Sequence, residues 1–310
     1  MSGFSGSKSR RVKSGSFLLL FFLLSKITAY RLINGVFMGF SEVVKIVLLG
    51  IIEGITEWLP ISSTGHMILF ERYFPLSVSE DFKNVFFVVI QLGAILAVVA
   101  LFRNKLFPFR FKKDEPHVRK DVIVMWLKVA LACVPAAIGF LIDDFLTERF
   151  YNPLTIAIML IVYGIAFIVV EQVNKKRTPT VNSVGELSFG KAFLIGCFQV
   201  LAMIPGTSRS GATIVGALII GISRPTAAEF TFFLAVPTMV CASAYKLIKY
   251  GFSFGGAEIS ALLLGMAIAF VVSLFAIKFL MNFVRKHDFM PFGIYRIALG
   301  LVVILLLVIL

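Results

Sequence analysis

Six stretches of this chain are each long and apolar enough to cross a lipid bilayer as a helix. About 20 mostly apolar residues span the hydrocarbon core, and such stretches lie at residues 85–102, 122–142, 154–170, 229–248, 260–281 and 292–310. Hydrophobic residues make up 59% of the 310-residue chain and charged residues only 15%, which leaves too little polar surface for a soluble fold. The sequence therefore predicts an all-α polytopic membrane protein, and it excludes a soluble enzyme, a disulfide-stapled secreted module and a disordered scaffold.

The basic excess of the chain indicates how these spans are oriented. Thirty Lys and Arg residues stand against 17 Asp and Glu, which gives a formal net charge of +13. The basic residues concentrate in segments 103–121 and 171–191, whereas segments 71–84 and 143–152 lean acidic. Because basic loops stay on the cytoplasmic side, span 85–102 is expected to run inward. We interpret the excess as an orientation signal and expect no nucleic-acid partner.

Two further apolar regions are interrupted by polar residues. The first covers residues 43–60 and leads into a polar run at 62–66. The second covers residues 192–205, continues through a polar run at 205–211 and ends in an apolar piece at 212–222. Non-helical backbone at membrane depth is tolerated where it is buried in protein or lines a cavity. Each region therefore predicts a re-entrant helical hairpin, two half-helices joined by a polar turn that we call the first and the second elbow.

The two regions match each other at a constant offset of 146 residues. The matched pairs are Gly50 with Gly196, Glu53 with Gln199, Ser62 with Ser208, Thr64 with Ser210, Gly65 with Gly211 and Ile68 with Ile214. Each hairpin is followed by three spans, so that repeat 1 covers about residues 43–170 and repeat 2 about 192–310. An odd number of spans forces the second unit to enter the membrane upside down, which predicts an inverted-topology repeat.

The first elbow carries acids beside a candidate nucleophile. Glu53 and Glu57 are four residues apart and share one helix face. Two carboxylates at membrane depth need a cation, a proton or a basic partner, so the pair predicts either a site for a divalent cation, Mg²⁺ or Ca²⁺, or a carboxylate that acts as an acid or base. Ser63 and His66 are three residues apart, close enough for a nucleophile and its base to share one turn.

The second elbow repeats this arrangement with a cation. Arg209 can bind a phosphate through two parallel hydrogen bonds, and hydroxyl residues at a helix start leave backbone N–H groups free for an anion. The residues expected to hold phosphate are Ser62, Thr64, Ser208, Arg209, Ser210 and Thr213. Facing elbows would combine a nucleophile, a base and a charge clamp, which are the requirements of phosphoryl transfer. Gln91, inside span 85–102, is a further polar candidate.

These two elbows carry a resemblance to a known family. Residues 53–66, EGITEWLPISSTGH, resemble the first signature of the bacterial undecaprenyl-diphosphate phosphatases of the bacitracin-resistance type, and residues 205–213, PGTSRSGAT, resemble the second. The similarity extends from about Met38 to the C-terminus. It implies hydrolysis of the C55 isoprenoid diphosphate to its monophosphate and phosphate, which recycles the lipid carrier of cell-wall synthesis and confers bacitracin resistance.

The resemblance also implies properties of the fold and the site. It implies an inverted-repeat helical protein of the bacterial inner membrane, a site that opens towards the periplasmic side, a divalent cation, a polyprenyl diphosphate substrate and a homodimer. The functional residues of the family correspond to Glu53, Glu57, Ser63, His66 and Arg209. Ser63, His66, Glu57 and Arg209 are expected to be catalytic, and Glu53 and Glu57 are expected to bind the metal.

The first 37 residues depart from this pattern. They form a basic and apolar extension that is either a signal-anchor or the product of a start assigned too early, because Met38 would serve as an ordinary start. We therefore expect a single membrane phosphatase domain over residues 38–310, preceded by this extension.

Three alternatives stay open on the sequence. His66 rather than Ser63 could be the nucleophile or could activate water, and the sequence does not separate these mechanisms. An acid-phosphatase-like lipid phosphatase would need a second His after the Ser-Arg pair, and residues 210–286 contain none. A transporter of a phosphorylated lipid or small anion would explain Arg209 and the elbows, but it would not require Ser63 and His66 together.

Overall fold

The computed structural model describes residues 39–109, 118–139, 143–251 and 253–309 of the chain. Within these ranges the protein is helical, and the only β-type contacts are isolated bridges that join Phe109 to Val118 and Val181 to Ile222. The expected extension over residues 1–37 lies outside the described residues, as do residues 140–142 of the predicted span 122–142.

The described ranges contain twelve α-helices and one short 3₁₀ turn, Leu201–Met203. The helices are α1 (Phe40–Thr56), α2 (Ser63–Tyr73), α3 (Glu80–Leu101), α4 (Arg103–Leu106), α5 (Lys120–Gly139), α6 (Asp143–Phe150), α7 (Pro153–Asn174), α8 (Phe189–Val200), α9 (Arg209–Ile219), α10 (Arg224–Tyr250), α11 (Gly256–Phe283) and α12 (Met290–Ile309).

Five of the described helices are long and apolar enough to cross a membrane, namely α3, α7, α10, α11 and α12. They coincide with the predicted spans 85–102, 154–170, 229–248, 260–281 and 292–310 to within a few residues at most ends. The sixth predicted span, 122–142, is helical as α5 over the part that is described. The predicted all-α, polytopic membrane protein is thereby confirmed.

The helices of the two halves interlock. Helix α1 of the first half packs on α11 of the second half, and α8 of the second half packs on α5 of the first half. Each hairpin therefore contacts the middle span of the other half. The remaining main contacts join α3 with both α10 and α11, and α7 with α12. This exchange of partners brings the two elbows together in the interior of the protein.

Glycines at matched positions allow these close helix contacts. A Cβ added to Gly50 in α1 would lie 2.9 Å from the Cβ of Ile268 and 3.0 Å from the carbonyl oxygen of Gly265. A Cβ added to Gly196 in α8 would overlap the backbone carbonyl of Ala132 in α5. Small residues at helix interfaces let backbones approach closely in membranes. Gly50 and Gly196, which are matched by the 146-residue offset, therefore both allow close packing of a hairpin helix against a span of the other half.

The two elbows adopt the same backbone turn. Ser62 precedes α2 with φ of +74°, and Ser208 precedes α9 with φ of +70°; these are the non-glycine residues with positive φ in the described ranges. Each serine hydroxyl accepts a hydrogen bond from a backbone N–H three residues on, from Gly65 at 3.3 Å and from Gly211 at 3.2 Å. The cap bonds help to hold an unfavourable left-handed conformation, which starts a short helix at each elbow.

Candidate active site

A cavity of about 250 Å³ lies where the two elbows meet. Its walls come from both hairpins and from α3, α5 and α10. The lining residues are Glu57, Ser63, Thr64, Gln91, Ala136, Gln199, Ala202, Met203, Pro205, Gly206, Ser208, Arg209, Thr238, Met239 and Ala242. The cavity is thus polar at the elbows and mainly apolar on the helices that face them.

Glu57 connects the two elbows through both of its carboxylate oxygens. The hydroxyl of Ser63 donates to Oε2 of Glu57 at 2.7 Å, and Nη2 of Arg209 donates to Oε1 at 3.0 Å. Glu57 is only 6% exposed, so both contacts are shielded from bulk water and strengthened by the low local dielectric. A hydroxyl, a carboxylate that can accept its proton and a guanidinium therefore lie in one buried cluster.

Arg209 is held in place while part of its guanidinium stays free. Nη1 donates to the carbonyl of Thr231 on α10 at 3.0 Å, and Nη2 donates to Glu57. The Nε–H group has no partner among the described residues although it is buried. A guanidinium has five N–H groups in a fixed plane, and these two bonds use only two of them, so Arg209 at the edge of the cavity is suited to an anion.

The other hydroxyl residues of the second elbow form hydrogen bonds within the elbow and with Glu57 and Thr231. Ser208 and Ser210 have hydroxyl oxygens 3.2 Å apart, and Ser210 also donates to the backbone carbonyl of Glu57 at 3.2 Å. Thr213 donates to the carbonyl of Arg209 at 2.9 Å and accepts from the hydroxyl of Thr231 at 2.9 Å. Ser208 lines the cavity, whereas Ser210 and Thr213 are buried beneath it.

His66 makes contacts other than the expected one with Ser63. Its Nδ1 lies 2.7 Å from the carbonyl of Ser62, and its Nε2 lies 2.7 Å from the hydroxyl of Tyr295. A carbonyl can only accept, so Nδ1 carries the proton and Nε2 accepts from Tyr295 in the neutral ring. No hydrogen bond joins His66 to Ser63 in the described part of the chain, and Glu57 instead occupies the position of the expected base.

Arg296, on α12, ties the backbones of both elbows together. The side chain is fully buried, and its guanidinium donates to the carbonyls of Pro60, Gly206 and Thr207 at 3.1, 2.8 and 2.9 Å. Longer bonds reach the carbonyls of Met159 and Leu160 on α7. Since the carbonyls of both turns depend on one guanidinium, Arg296 fixes the first elbow relative to the second.

Two matched side chains lie beside this cluster without hydrogen-bond partners. Glu53 is fully buried and Gln199 is 4% exposed, and neither the carboxylate of the first nor the carboxamide of the second has a partner among the described residues. The charged neighbours of Glu53 are Glu57 and Arg209. A buried polar group without a partner is costly, which points to a bound ligand or proton at these positions.

The carboxylates fit the predicted cation site in part. No group of three or more His, Cys, Asp or Glu side chains gathers at a metal-binding distance within the described ranges. Magnesium needs only one or two carboxylates when substrate phosphates and water complete its shell. The free oxygens of Glu53 meet that requirement, and Glu57 would have to share its oxygens with Ser63 and Arg209.

The structure therefore brings together only some of the predicted site residues at the cavity surface. Glu57, Ser63, Thr64, Gln91, Ser208 and Arg209 line the cavity. The other predicted residues are not among those that line it, namely Glu53, Ser62, His66, Ser210 and Thr213.

Several residues of this site were not predicted as site residues from the sequence, namely Gln199, Thr231, Tyr295 and Arg296. A charged residue inside a membrane span is rare and functional by default. That rule, applied to span 292–310, could have identified Arg296.

Both elbows lie within a part of the chain that matches a known protein family. The family model described as "Bacitracin resistance protein BacA" matches residues 46–302. A protein named undecaprenyl-diphosphatase from Enterococcus faecalis is 60% identical over 271 residues, 87% of this chain and 98% of the relative. Proteins of the same name from Acetivibrio thermocellus and Desulfitobacterium hafniense are each 56% identical, over 85% and 86% of this chain and 97% of each relative.

Proposed function

The chain belongs to the Bacitracin resistance protein BacA family, and on that premise we propose that it hydrolyses undecaprenyl diphosphate to undecaprenyl phosphate and inorganic phosphate. Relatives that are 56–60% identical carry the name of that activity. The observation that carries the proposal is the cluster in which Glu57 accepts from Ser63 and from Arg209 at the cavity between the elbows.

The diphosphate would bind between the two elbows. Arg209 offers its free Nε–H, and Thr64 and Ser208 offer hydroxyls at the cavity wall. Helices α2 and α9 both begin at the cavity, so their N-terminal backbone N–H groups favour an anion there. The mainly apolar wall on the other side suits the start of the isoprenoid chain.

Ser63 would attack the terminal phosphorus of the bound diphosphate. As the new P–O bond forms, the hydroxyl proton passes to Glu57, and the bond to the bridging oxygen breaks to release undecaprenyl phosphate. Water then attacks the phosphoserine, which frees inorganic phosphate and restores Ser63. In this mechanism His66 positions the first elbow through the carbonyl of Ser62, and the rival mechanism gives the nucleophilic step, or activation of water, to His66.

A divalent cation, Mg²⁺ or Ca²⁺, would be held by Glu53 and Glu57 together with phosphate oxygens of the substrate. When bound, it would offset the charge of the diphosphate. The unpartnered, fully buried carboxylate of Glu53 supports this assignment. We expect a chelator to abolish phosphate release and Glu53→Gln to raise the cation concentration needed for half-maximal rate about 10- to 100-fold. Full activity in chelator would remove the cation from the proposal.

We also propose that the two units form an inverted repeat in the bacterial inner membrane. The shared elbow turn and the exchanged packing of α1 on α11 and α8 on α5 support the repeat. The basic loops support a cavity that opens towards the periplasmic side. Cysteine labelling with a membrane-impermeant reagent at Thr64 and at Lys176 would test this orientation, because only the first should react in intact cells.

The activity in this location would recycle the lipid carrier of cell-wall synthesis and confer bacitracin resistance. The resemblance to the family also leads us to propose a homodimer. Crosslinking of the protein in native membranes tests the dimer, and a purely monomeric pattern would contradict it. Overexpression should raise the bacitracin concentration that cells tolerate, and an inactive variant should not.

The direct test of the activity is phosphate release from undecaprenyl diphosphate by the purified full chain. Ser63→Ala should lower the turnover rate by at least about 10³-fold, while Ser260→Ala, a matched change outside the cavity on α11, should leave it unchanged. Undiminished release by Ser63→Ala would remove the residue from the mechanism. Uptake of a lipid phosphate without any release would favour the transporter instead.

A further inference from the structure

A second cavity, of about 690 Å³, lies at the opposite end of α9 from the active-site cavity. The helix has 11 residues, which separates its ends by about 15 Å, half the thickness of the hydrocarbon core. The cavity is formed where α7 and α11 end and α10 begins, together with the loop that follows α7. Its polar lining residues are Glu171, Asn174, Lys176, Arg177, Thr178, Thr180, Ser223, Arg224 and Arg285.

The charge of this cavity is strongly positive. Four basic residues line it against a single carboxylate, Glu171. That carboxylate is fully buried, and it accepts from Arg224 at 2.6 to 3.0 Å and from the backbone N–H of Phe289 at 2.9 Å. Asp288 also lies near Arg224. The charges of Arg224 and Glu171 therefore compensate each other, and the positive charge that remains comes from the other three cations.

These three cations, Lys176, Arg177 and Arg285, are exposed at the cavity. None of them forms an ion pair within the described ranges. The hydroxyl of Thr178 also belongs to the lining, so the lining supplies a hydrogen-bond donor beside the charges. Such a lining is the chemistry that binds a phosphate group.

The walls of the cavity are fixed by hydrogen bonds. The backbone N–H and the hydroxyl of Thr180 both donate to the carbonyl of Gly221, at 2.8 and 3.1 Å. The backbone N–H of Ser223 donates to Val181, and the side chain of Asn174 donates to the carbonyl of Leu218 at 3.0 Å. The loop after α7 is thereby attached to the end of α9, so that the cavity is preformed.

An adjacent cavity of about 570 Å³ shares Arg285 with this one. It is lined by Phe279, Asn282, Phe283 and Lys286 of the α11 end and the residues that follow it. Phe279 is 55% exposed on a helix that is apolar enough to cross a membrane. The combination of cations with an exposed aromatic side chain on such a helix distinguishes this site from one for a soluble anion.

We propose that these two adjacent cavities together bind an anionic membrane phospholipid. The phosphate of the lipid lies among Lys176, Arg177 and Arg285, and its acyl chains lie along Phe279 and Phe283. Basic pockets between membrane helices on the side of the basic loops attract anionic headgroups, and the electrostatic attraction grows with each Lys or Arg. This site is separate from the phosphatase cavity, and its occupancy does not depend on the proposed activity.

The test measures thermal unfolding of the detergent-purified full chain with added phosphatidylglycerol, with phosphatidylcholine of the same chains, and with inorganic phosphate. The variant combines Lys176→Ser, Arg177→Ser and Arg285→Ser. The matched control combines Arg103→Ser, Lys120→Ser and Lys175→Ser, which removes the same charge from the same predicted face without touching either cavity. Phosphate release in phosphatidylcholine is measured for all three proteins and reports on the phosphatase separately.

Phosphatidylglycerol should raise the Tm of the wild-type and control proteins, and the cavity variant should need at least about tenfold more lipid for the same shift. Native mass spectrometry of the three proteins should show phosphatidylglycerol retained by the first two only. Equal Tm shifts in the variant and the control, or equal shifts with phosphatidylcholine, would overturn the proposal. An equal effect of inorganic phosphate would replace the lipid with a soluble anion and would overturn it too.

Discussion

The two elbows adopt the same backbone conformation but carry different functional side chains. Both place a serine with positive φ before a short helix, and both cap that helix with the same serine hydroxyl. At the 146-residue offset, however, Ser63 of the first elbow is matched by Arg209 of the second. The first residue of the helix is thus the proposed nucleophile in one elbow and the phosphate clamp in the other.

The same contrast holds earlier in each hairpin. Glu57 is matched by Met203, and Glu53 is matched by Gln199. All acids of the cluster therefore belong to the first elbow, and its cation belongs to the second. The same turn starts a helix in both elbows, but the side chains at matched positions differ. Each elbow therefore supplies only part of the site.

The largest expected effect comes from removing the acid that only the first elbow has. Glu57→Gln should lower the rate of phosphate release about 10²- to 10⁴-fold, because the proton acceptor of Ser63 is lost. Met203→Leu, at the matched position of the second elbow, should change the rate less than about threefold. Comparable losses in both proteins would mean that the position matters for packing rather than for proton transfer.

The clamp of the second elbow should be nearly as sensitive. Arg209→Lys keeps the charge but loses the planar set of donors, so kcat/KM should fall about 10²-fold. Arg103→Lys, at the exposed start of α4, is the control and should have wild-type kinetics. If Arg209→Lys also had wild-type kinetics, a point charge would suffice and the bidentate contact would be wrong.

Arg296 tests whether the two elbows depend on each other. Arg296→Met leaves buried carbonyls of both turns without a donor, and it should lower the free energy of unfolding by roughly 3 kcal/mol. Thermal unfolding in detergent measures this, with Arg103→Met as the matched change at an exposed position. A variant as stable as the control would show that each elbow holds its own conformation.

The smallest effects concern the turn that the elbows share. Ser62→Ala and Ser208→Ala each lose the cap and should cost about 1 kcal/mol, whereas the Gly variants lose the cap but relieve the positive φ and should cost a few tenths. The difference in the free energy of unfolding between the Ala and the Gly variant, measured by thermal unfolding, should be equal in the two elbows. Unequal differences would indicate that only one of the turns is under strain.

The spans and both elbows could be predicted because apolar length and polar interruption are local properties of the sequence. The side-chain partners within the site could not. Helix α1 ends at Thr56, and the turn that follows brings Ser63 back to Glu57, while the ring of His66 turns to Tyr295 on α12.

Contacts over 229 residues, such as that between His66 and Tyr295, depend on how the halves interlock. The spacing of three residues between Ser63 and His66 contained no information about that packing. The same holds for Arg296, whose acceptors come from two elbows and α7.

The central claim is that Ser63, activated by Glu57, becomes phosphorylated while Arg209 holds the diphosphate. Acid quenching of the enzyme with undecaprenyl diphosphate labelled in its terminal phosphate, followed by peptide mass spectrometry, tests this most directly. The mechanism predicts label on Ser63 in the wild-type protein and none in Ser63→Ala. Label on His66, or phosphate release by Ser63→Ala at the wild-type rate, would contradict it.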